Sequence, residues 1–169
     1  MKKIQQLLII GIFFVFLYSC RGGYSFTGAD ISPDVKTIEV DFFNNRASLV
    51  QPNLSNVFTE TLKDKFISQT NLHITNDYGD LIFEGEITDY SVSAQAYQGN
   101  ETAAMTRLTI SVHVKFTNTK ETKKSFDTSF SRYADFDSSQ SLMSVEDDLM
   151  KQICDELVLD IFNKAVANW

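Results

Sequence analysis

Arg107-Leu-Thr-Ile-Ser-Val-His-Val-Lys-Phe116 is the clearest pattern in the chain. Leu108, Ile110, Val112, Val114 and Phe116 fall on one side of an extended backbone. Arg107, Thr109, Ser111, His113 and Lys115 fall on the other. This two-residue period predicts a strand with one buried and one polar face. Strands are expected on both sides of it. Upstream, Asp80 to Ala96 reads as a strand whose phase slips: Leu81, Phe83 and Ile87 share one parity, and Tyr90, Val92 and Ala94 the other. A bulge near Thr88-Asp89 reconciles them. Downstream, Phe126, Thr128 and Phe130 alternate, then shift phase toward Tyr133 and Phe136. Gly99-Asn100 and Asn118 to Thr122 read as the connecting turns, so the three strands form an antiparallel meander.

A fourth strand is expected over Val35 to Phe43, with Ile38, Val40 and Phe42 on one side and Asn44-Asn45 ending it. Two helices complete the set. Leu54, Phe58, Leu62 and Phe66 are spaced by four, which predicts a helix from Leu54 to about Ser68. Leu149, Ile153, Leu157, Ile161 and Ala165 form one row of a second helix, Val145 to about Ala167, with Met150, Cys154, Val158 and Phe162 beside it. Ser144 and Asp147 suggest a capping box at its start. The order βαβββα gives an α+β two-layer sandwich, two helices on one face of a four-stranded, mostly antiparallel sheet. The other face is left polar.

Export is written into the first twenty residues. Lys2 and Lys3 precede an uncharged, mainly apolar run from Ile4 to Ser19, the layout of a signal peptide. Leu17-Tyr18-Ser19-Cys20 resembles the bacterial lipobox, which implies cleavage before Cys20 and lipid attachment to it. The alternative is a plain secretory signal with an incidental cysteine. The expected organisation is signal peptide 1–19, lipidated tether 20–34 and a single domain 35–169. Arg21 and Gly22-Gly23 follow the cysteine, with neither the Asp associated with inner-membrane retention nor an acidic run for surface display. The periplasmic side of the outer membrane is the expected address.

Removing Lys2 and Lys3 from the 15 basic residues leaves 13 against 22 acidic ones. Such a surface repels nucleic acid. With Cys20 acylated, Cys154 has no disulfide partner and reads as a small core residue. No catalytic, metal-ligating or cofactor-binding motif is present. His73 and His113 lack ligand spacing. Glu84 and Glu86 share a strand face, where solvated carboxylates are commoner than an acid–base pair. One local exception to the negative charge stands out. Arg107 and Lys115 share a polar strand face, Lys120, Lys123 and Lys124 lie in or near the next turn, and Arg132 is on the strand beyond. These read either as an anion-binding edge or as charges that protect sheet edges from aggregation.

Several stretches together carry a family resemblance: the segment from Cys20 to Ala29, Thr37 to Ala47, Leu81 to Tyr90, Phe130 to Asp137, and the end of the chain at Ala167-Asn-Trp169. The chain resembles the LptE family of lipopolysaccharide-assembly lipoproteins, in the form found in Bacteroidetes-like bacteria. The resemblance implies two helices against a four-stranded sheet, no enzymatic activity and no cofactor. It also implies a place inside the lumen of the LptD outer-membrane β-barrel, as plug and assembly partner in lipopolysaccharide transport to the outer leaflet. A polar sheet face suits a polar lumen. Because some members of the family bind lipopolysaccharide through basic residues near a strand turn, Arg107, Lys115, Lys120, Lys123 and Lys124 become candidate contacts. The competing expectation is a free periplasmic binding or scaffolding lipoprotein of the envelope.

Overall fold

The computed structural model describes residues 31–95 and 104–166. The elements run β1 (Thr37–Val40), β2 (Asn44–Asn45), α1 (Leu54–Gln69), β3 (His73–Ile74), β4 (Leu81–Gln95), β5 (Met105–Asn118), a 3₁₀ turn (Thr122–Lys124), β6 (Phe126–Asp137) and α2 (Leu142–Val166). One mixed sheet has the order β3-β1-β4-β5-β6, and β2 joins β4 after β1 has ended. β1 lies parallel to β3 and β4, while β4, β5 and β6 form the antiparallel meander. The architecture is the expected α+β sandwich. It has six strands rather than four because two short pieces, β2 and β3, flank β1.

The inward row of β5 is as expected: Leu108, Ile110, Val112, Val114 and Phe116 are all buried. In β4 the register shifts between Ile87 and Asp89. Ile87 and Tyr90 are therefore both buried, and the Thr88 hydroxyl donates to the Ser111 carbonyl at 3.3 Å. Beyond Tyr90 the expected burial stops. Val92 and Ala94 keep the inward parity but are exposed.

Three expectations are corrected. The first strand does not run unbroken to Phe43. Val40 pairs with Phe83 and Asn44 with Glu86, so four steps on this chain oppose three on β4. The extra residue flips the phase. Phe42 is half exposed, and Phe43 takes the inward position with no exposure at all. Nor does β6 shift phase. Its even row stays on the helix side through Ala134 and Phe136, and Tyr133 lies on the outer face, half exposed. Arg132 occupies the inward row and forks onto Asp160 of α2 at 2.6 and 2.8 Å, an ionic contact that alternation of apolar residues does not reveal. Finally, α2 begins at Leu142, so Ser144 is inside the first turn, its hydroxyl donating to the Ser141 carbonyl at 2.6 Å. Glu146, also in the N-terminal part of this helix, accepts a hydrogen bond from the Tyr90 hydroxyl. The expected turn at Gly99-Asn100 lies outside the described residues.

Both helices bury the rows foreseen for them, except that Leu149 at the start of its row is only partly buried. Aromatic contacts tie the layers together. Phe66 of α1 meets Phe83 of β4 and Phe162 of α2, each at 5.0 Å between ring centres. Phe83, Phe116 and Phe126 continue across the sheet at 4.7 and 5.1 Å. Phe43 packs edge-on against Phe58 at 5.0 Å, and its backbone N–H donates to the buried Thr59 hydroxyl at 3.1 Å. The Phe43 ring fits because Gly85 lies beneath it. A Cβ at position 85 would stand 2.6 Å from that ring and 2.1 Å from the His113 carbonyl oxygen. Gly85→Ala should therefore destabilise the fold by about 1–3 kcal/mol, the usual range for overpacking. A lowered urea midpoint with an unchanged slope is the expected outcome.

Candidate functional site: the polar sheet face and the β5–β6 turn

The sheet face away from the helices carries charged side chains in cross-strand pairs. Lys115 meets Glu84 at 2.8 Å, and this bond, with Asp127 beyond it, raises the Lys115 ammonium above its ordinary pKa. His113 Nε2 is 2.8 Å from Asp127. Arg46 and Glu86 are 3.9 Å apart. At the other end of β5, Arg107 forks onto Asp135 at 2.7 and 2.8 Å and lies 3.5 Å above the centre of the Tyr133 ring. The guanidinium holds the Asp135 carboxyl below its usual pKa. Near β1, partial burial and the neighbouring Glu39 and Glu84 push Asp41 upward. The face is thus mainly polar, with mixed charge and the half-exposed Tyr133 ring among its side chains.

The β5–β6 turn is built on two side chains. Asn118 is buried, and its carbonyl oxygen accepts the N–H groups of Lys120 and Glu121 at 3.0 and 2.7 Å. Asp80, at the mouth of β4, accepts the N–H groups of Lys36 and Thr37 at 2.8 and 3.1 Å. It also accepts the Thr37 hydroxyl at 3.1 Å and pairs with Lys120 at 2.9 Å. Its backbone carbonyl takes the Thr119 N–H at 2.9 Å. These donors hold the Asp80 carboxyl far below the usual carboxylate range. Asp80 was not singled out in the sequence. Its only local signal is a lone acid after the Tyr78-Gly79 turn, because its partners are some forty residues away.

The structure therefore brings together part of the basic set. Lys115, Lys120, Lys123 and Lys124 gather at one end of the sheet. Arg107 is eight residues along β5, roughly 26 Å away at the usual rise per residue. Arg132 projects to the opposite face. Lys124 pairs with Glu121 at 3.1 Å, whereas Lys123 is exposed and has no ion pair among the described residues. Exposed pairs of this type are worth only ~0–1 kcal/mol each, so an incoming multivalent anion can compete for them. Glu84 and Glu86 each face a cation. His73 is exposed on β3 and His113 is engaged by Asp127. Among the described residues no cluster could hold a metal ion, and no helix is long and apolar enough to cross a membrane. Cys154 is buried, and burial together with the nearby Asp155 pushes its thiol up to about 12, so it is inert at neutral pH.

Fold and surface define an α+β domain with one face closed by helices and one long polar sheet face. Two solved structures share that fold. A minor lipoprotein from Acinetobacter baumannii is 13% identical with a TM-score of 0.52, covering 77% of this chain and 91% of its own. A hypothetical protein from Chlamydia trachomatis is 11% identical, also at 0.52, covering 79% and 99%. No curated protein matches. Residues 35–165 match the family described as LptE, lipopolysaccharide-assembly. The chain belongs to the LptE family, and its role lies in lipopolysaccharide assembly.

The Asp80 clamp gives a pH prediction. A depressed folded-state pKa contributes stability that is complete above the unfolded value, near 3.9, and is lost as pH falls through the folded value. Asp80→Asn should cost about 1.5–3 kcal/mol at pH 7, the range for hydrogen bonds to a charged group. The gap between wild type and variant should stay constant down to about pH 5 and narrow below about pH 4. Urea unfolding across that range measures it.

Proposed function

We propose that this chain is a non-enzymatic lipoprotein of the outer membrane, anchored on its periplasmic side through lipid on Cys20. In this reading it occupies the lumen of an LptD-like β-barrel as plug and assembly partner, and serves the passage of lipopolysaccharide to the outer leaflet. Family membership over residues 35–165 carries the reading. Three features support it. The outer sheet face carries polar, ion-paired side chains that are compatible with a hydrated lumen. The helix-side core is already closed, so docking would use the polar face without unfolding. The candidate chemical groups are binding groups: lysines on a turn held by Asp80 and Asn118.

A mild-detergent pull-down of the tagged native protein, followed by mass spectrometry, is the direct test. The expected result is a stoichiometric outer-membrane barrel, with lipopolysaccharide lost from the cell surface on depletion. An intact, lipidated protein that retains no barrel would favour a free periplasmic binding or scaffolding lipoprotein instead.

Direct lipid contact is separately testable at Lys115, Lys120, Lys123 and Lys124, with Arg107 as the distant fifth candidate. Replacing Lys120, Lys123 and Lys124 together by Glu should weaken binding of purified lipopolysaccharide by about tenfold or more, as expected for roughly 1.4 kcal/mol or more of lost interaction. The loss should be greatest at low salt. Arg107→Ala should have a smaller effect than the triple change. Equal binding by the triple variant and the wild type at low salt would remove the turn from the candidate site.

A further inference from the structure

Among the described residues, β2, β3, β6 and the second half of β4 each have backbone hydrogen-bonding groups that face no neighbouring strand, and they differ in how they are protected. β2 and β3 are each two residues long, and very short edges offer little template. β6 carries Arg132 in its helix-side row, fixed to Asp160, and an inward charge of this kind discourages strand addition. The last is the second half of β4. β1 pairs with it only to Phe83 and β2 only to Ile87. From Asp89 to Gln95 its sole pairing strand among the described residues is β5.

Apart from the bulge at its start, this stretch lacks the usual edge protection. Thr88 to Gln95 contains no Lys, no Arg and no Pro, and Asp89 is its only charge. Residues 91–94 are exposed whichever way their side chains point, while Leu108 and Ile110, at the same level on β5, are completely buried. The main-chain direction can be followed as well. The Phe83 and Ile87 carbonyls accept the Asp41 and Arg46 N–H groups at 2.9 and 2.8 Å on the β1 side. The bulge at Thr88 shifts the alternation by one, which turns the main chain of Tyr90, Val92 and Ala94 toward the open edge. The two side-chain rows differ in chemistry. Tyr90, Val92 and Ala94 form a helix-side apolar row. Asp89, Ser91, Ser93 and Gln95 form an outer polar one.

We propose that the Asp89–Gln95 edge of β4 accepts an extended strand from a partner protein. That strand would place apolar side chains beside Val92 and Ala94, and basic or hydroxyl side chains beside Asp89 and Ser91. Main-chain pairing supplies affinity, and the alternating rows supply specificity. Charge selects the occupant. Glu86, more than half exposed although it lies 3.9 Å from Arg46, is just upstream of Asp89, and the whole chain carries a formal −7. A second copy would bring two net-acidic proteins together, which like-charge repulsion disfavours. A basic-faced strand is complementary. Leu49 and Val50, both more than half exposed, follow β2 in the chain, the strand whose pairing with β4 ends at Ile87. The inference is independent of lipid binding at the lysine turn.

The test uses the full-length tagged protein in its own cells, with a photo-cross-linking phenylalanine analogue at Ser91 or at Ser93. Cross-linked residues are then mapped by mass spectrometry. Both positions should map to one segment of one partner, at residues two apart, as neighbouring strands require. Val92→Pro removes the edge-facing N–H and leaves pairing with β5 intact, and should lower both cross-links about tenfold. Val92→Thr keeps the N–H and should preserve them. Thermal melting of each variant establishes that it is folded. Cross-links to a second copy of this chain, to scattered residues without the two-residue step, or undiminished in a folded Val92→Pro protein would each overturn the proposal. If the step is present on a protein other than a barrel, the edge is supported, and the barrel reading is decided separately by the pull-down.

Discussion

The seating of Phe43 over Gly85 is the constraint on which the two layers depend. One extra residue between Val40 and Asn44 separates β1 from β2, which rejoins β4 before the chain leaves for α1. The insertion carries Phe43 into the core, where Phe58 receives its ring and Thr59 its backbone N–H. Without a side chain at residue 85, the ring can lie directly against the sheet. α1 is thereby fixed over β1 and β4 through contacts that are apolar on one side and hydrogen-bonded on the other. Burying a Phe side chain contributes roughly 1.5–3 kcal/mol, so this corner is a substantial part of a marginal total.

From that corner the packing passes through Phe66 to Phe162 and through Phe83 to Phe126. A core closed in this way has no need of the sheet's second face. That face carries ion pairs and hydroxyls instead, most of them partly hydrated. Exposed pairs contribute little to stability, so they can be rearranged on contact with a ligand or partner at little cost to the fold. This separation lets one domain keep a rigid core beside an adaptable surface.

The lysine turn and the open β4 edge lie toward opposite ends of the β4–β5 pair. Asp80 fixes the first by drawing the starts of β1 and β4 onto the turn after β5. The Thr88 bulge defines the second by ending the pairing with β2. Lipid and protein contacts could therefore be made by distinct parts of one sheet without competing for the same residues.

The sequence alone determined the order of both helices and of four of the six strands, the inward row of β5, the bulge in β4, both helix stripes and the family, since each is expressed in the spacing of neighbouring side chains or in ordered local motifs. It also located the lysines. Only the tertiary structure decided that Phe43 rather than Phe42 is buried, because an insertion opposite another strand leaves no mark on one strand read by itself. It decided that Arg132 turns inward to Asp160, that Arg107 stands far from the lysine turn, and that Asp80 holds that turn in place. Those outcomes depend on groups dozens of residues apart, whose meeting is set by the packing of the whole chain.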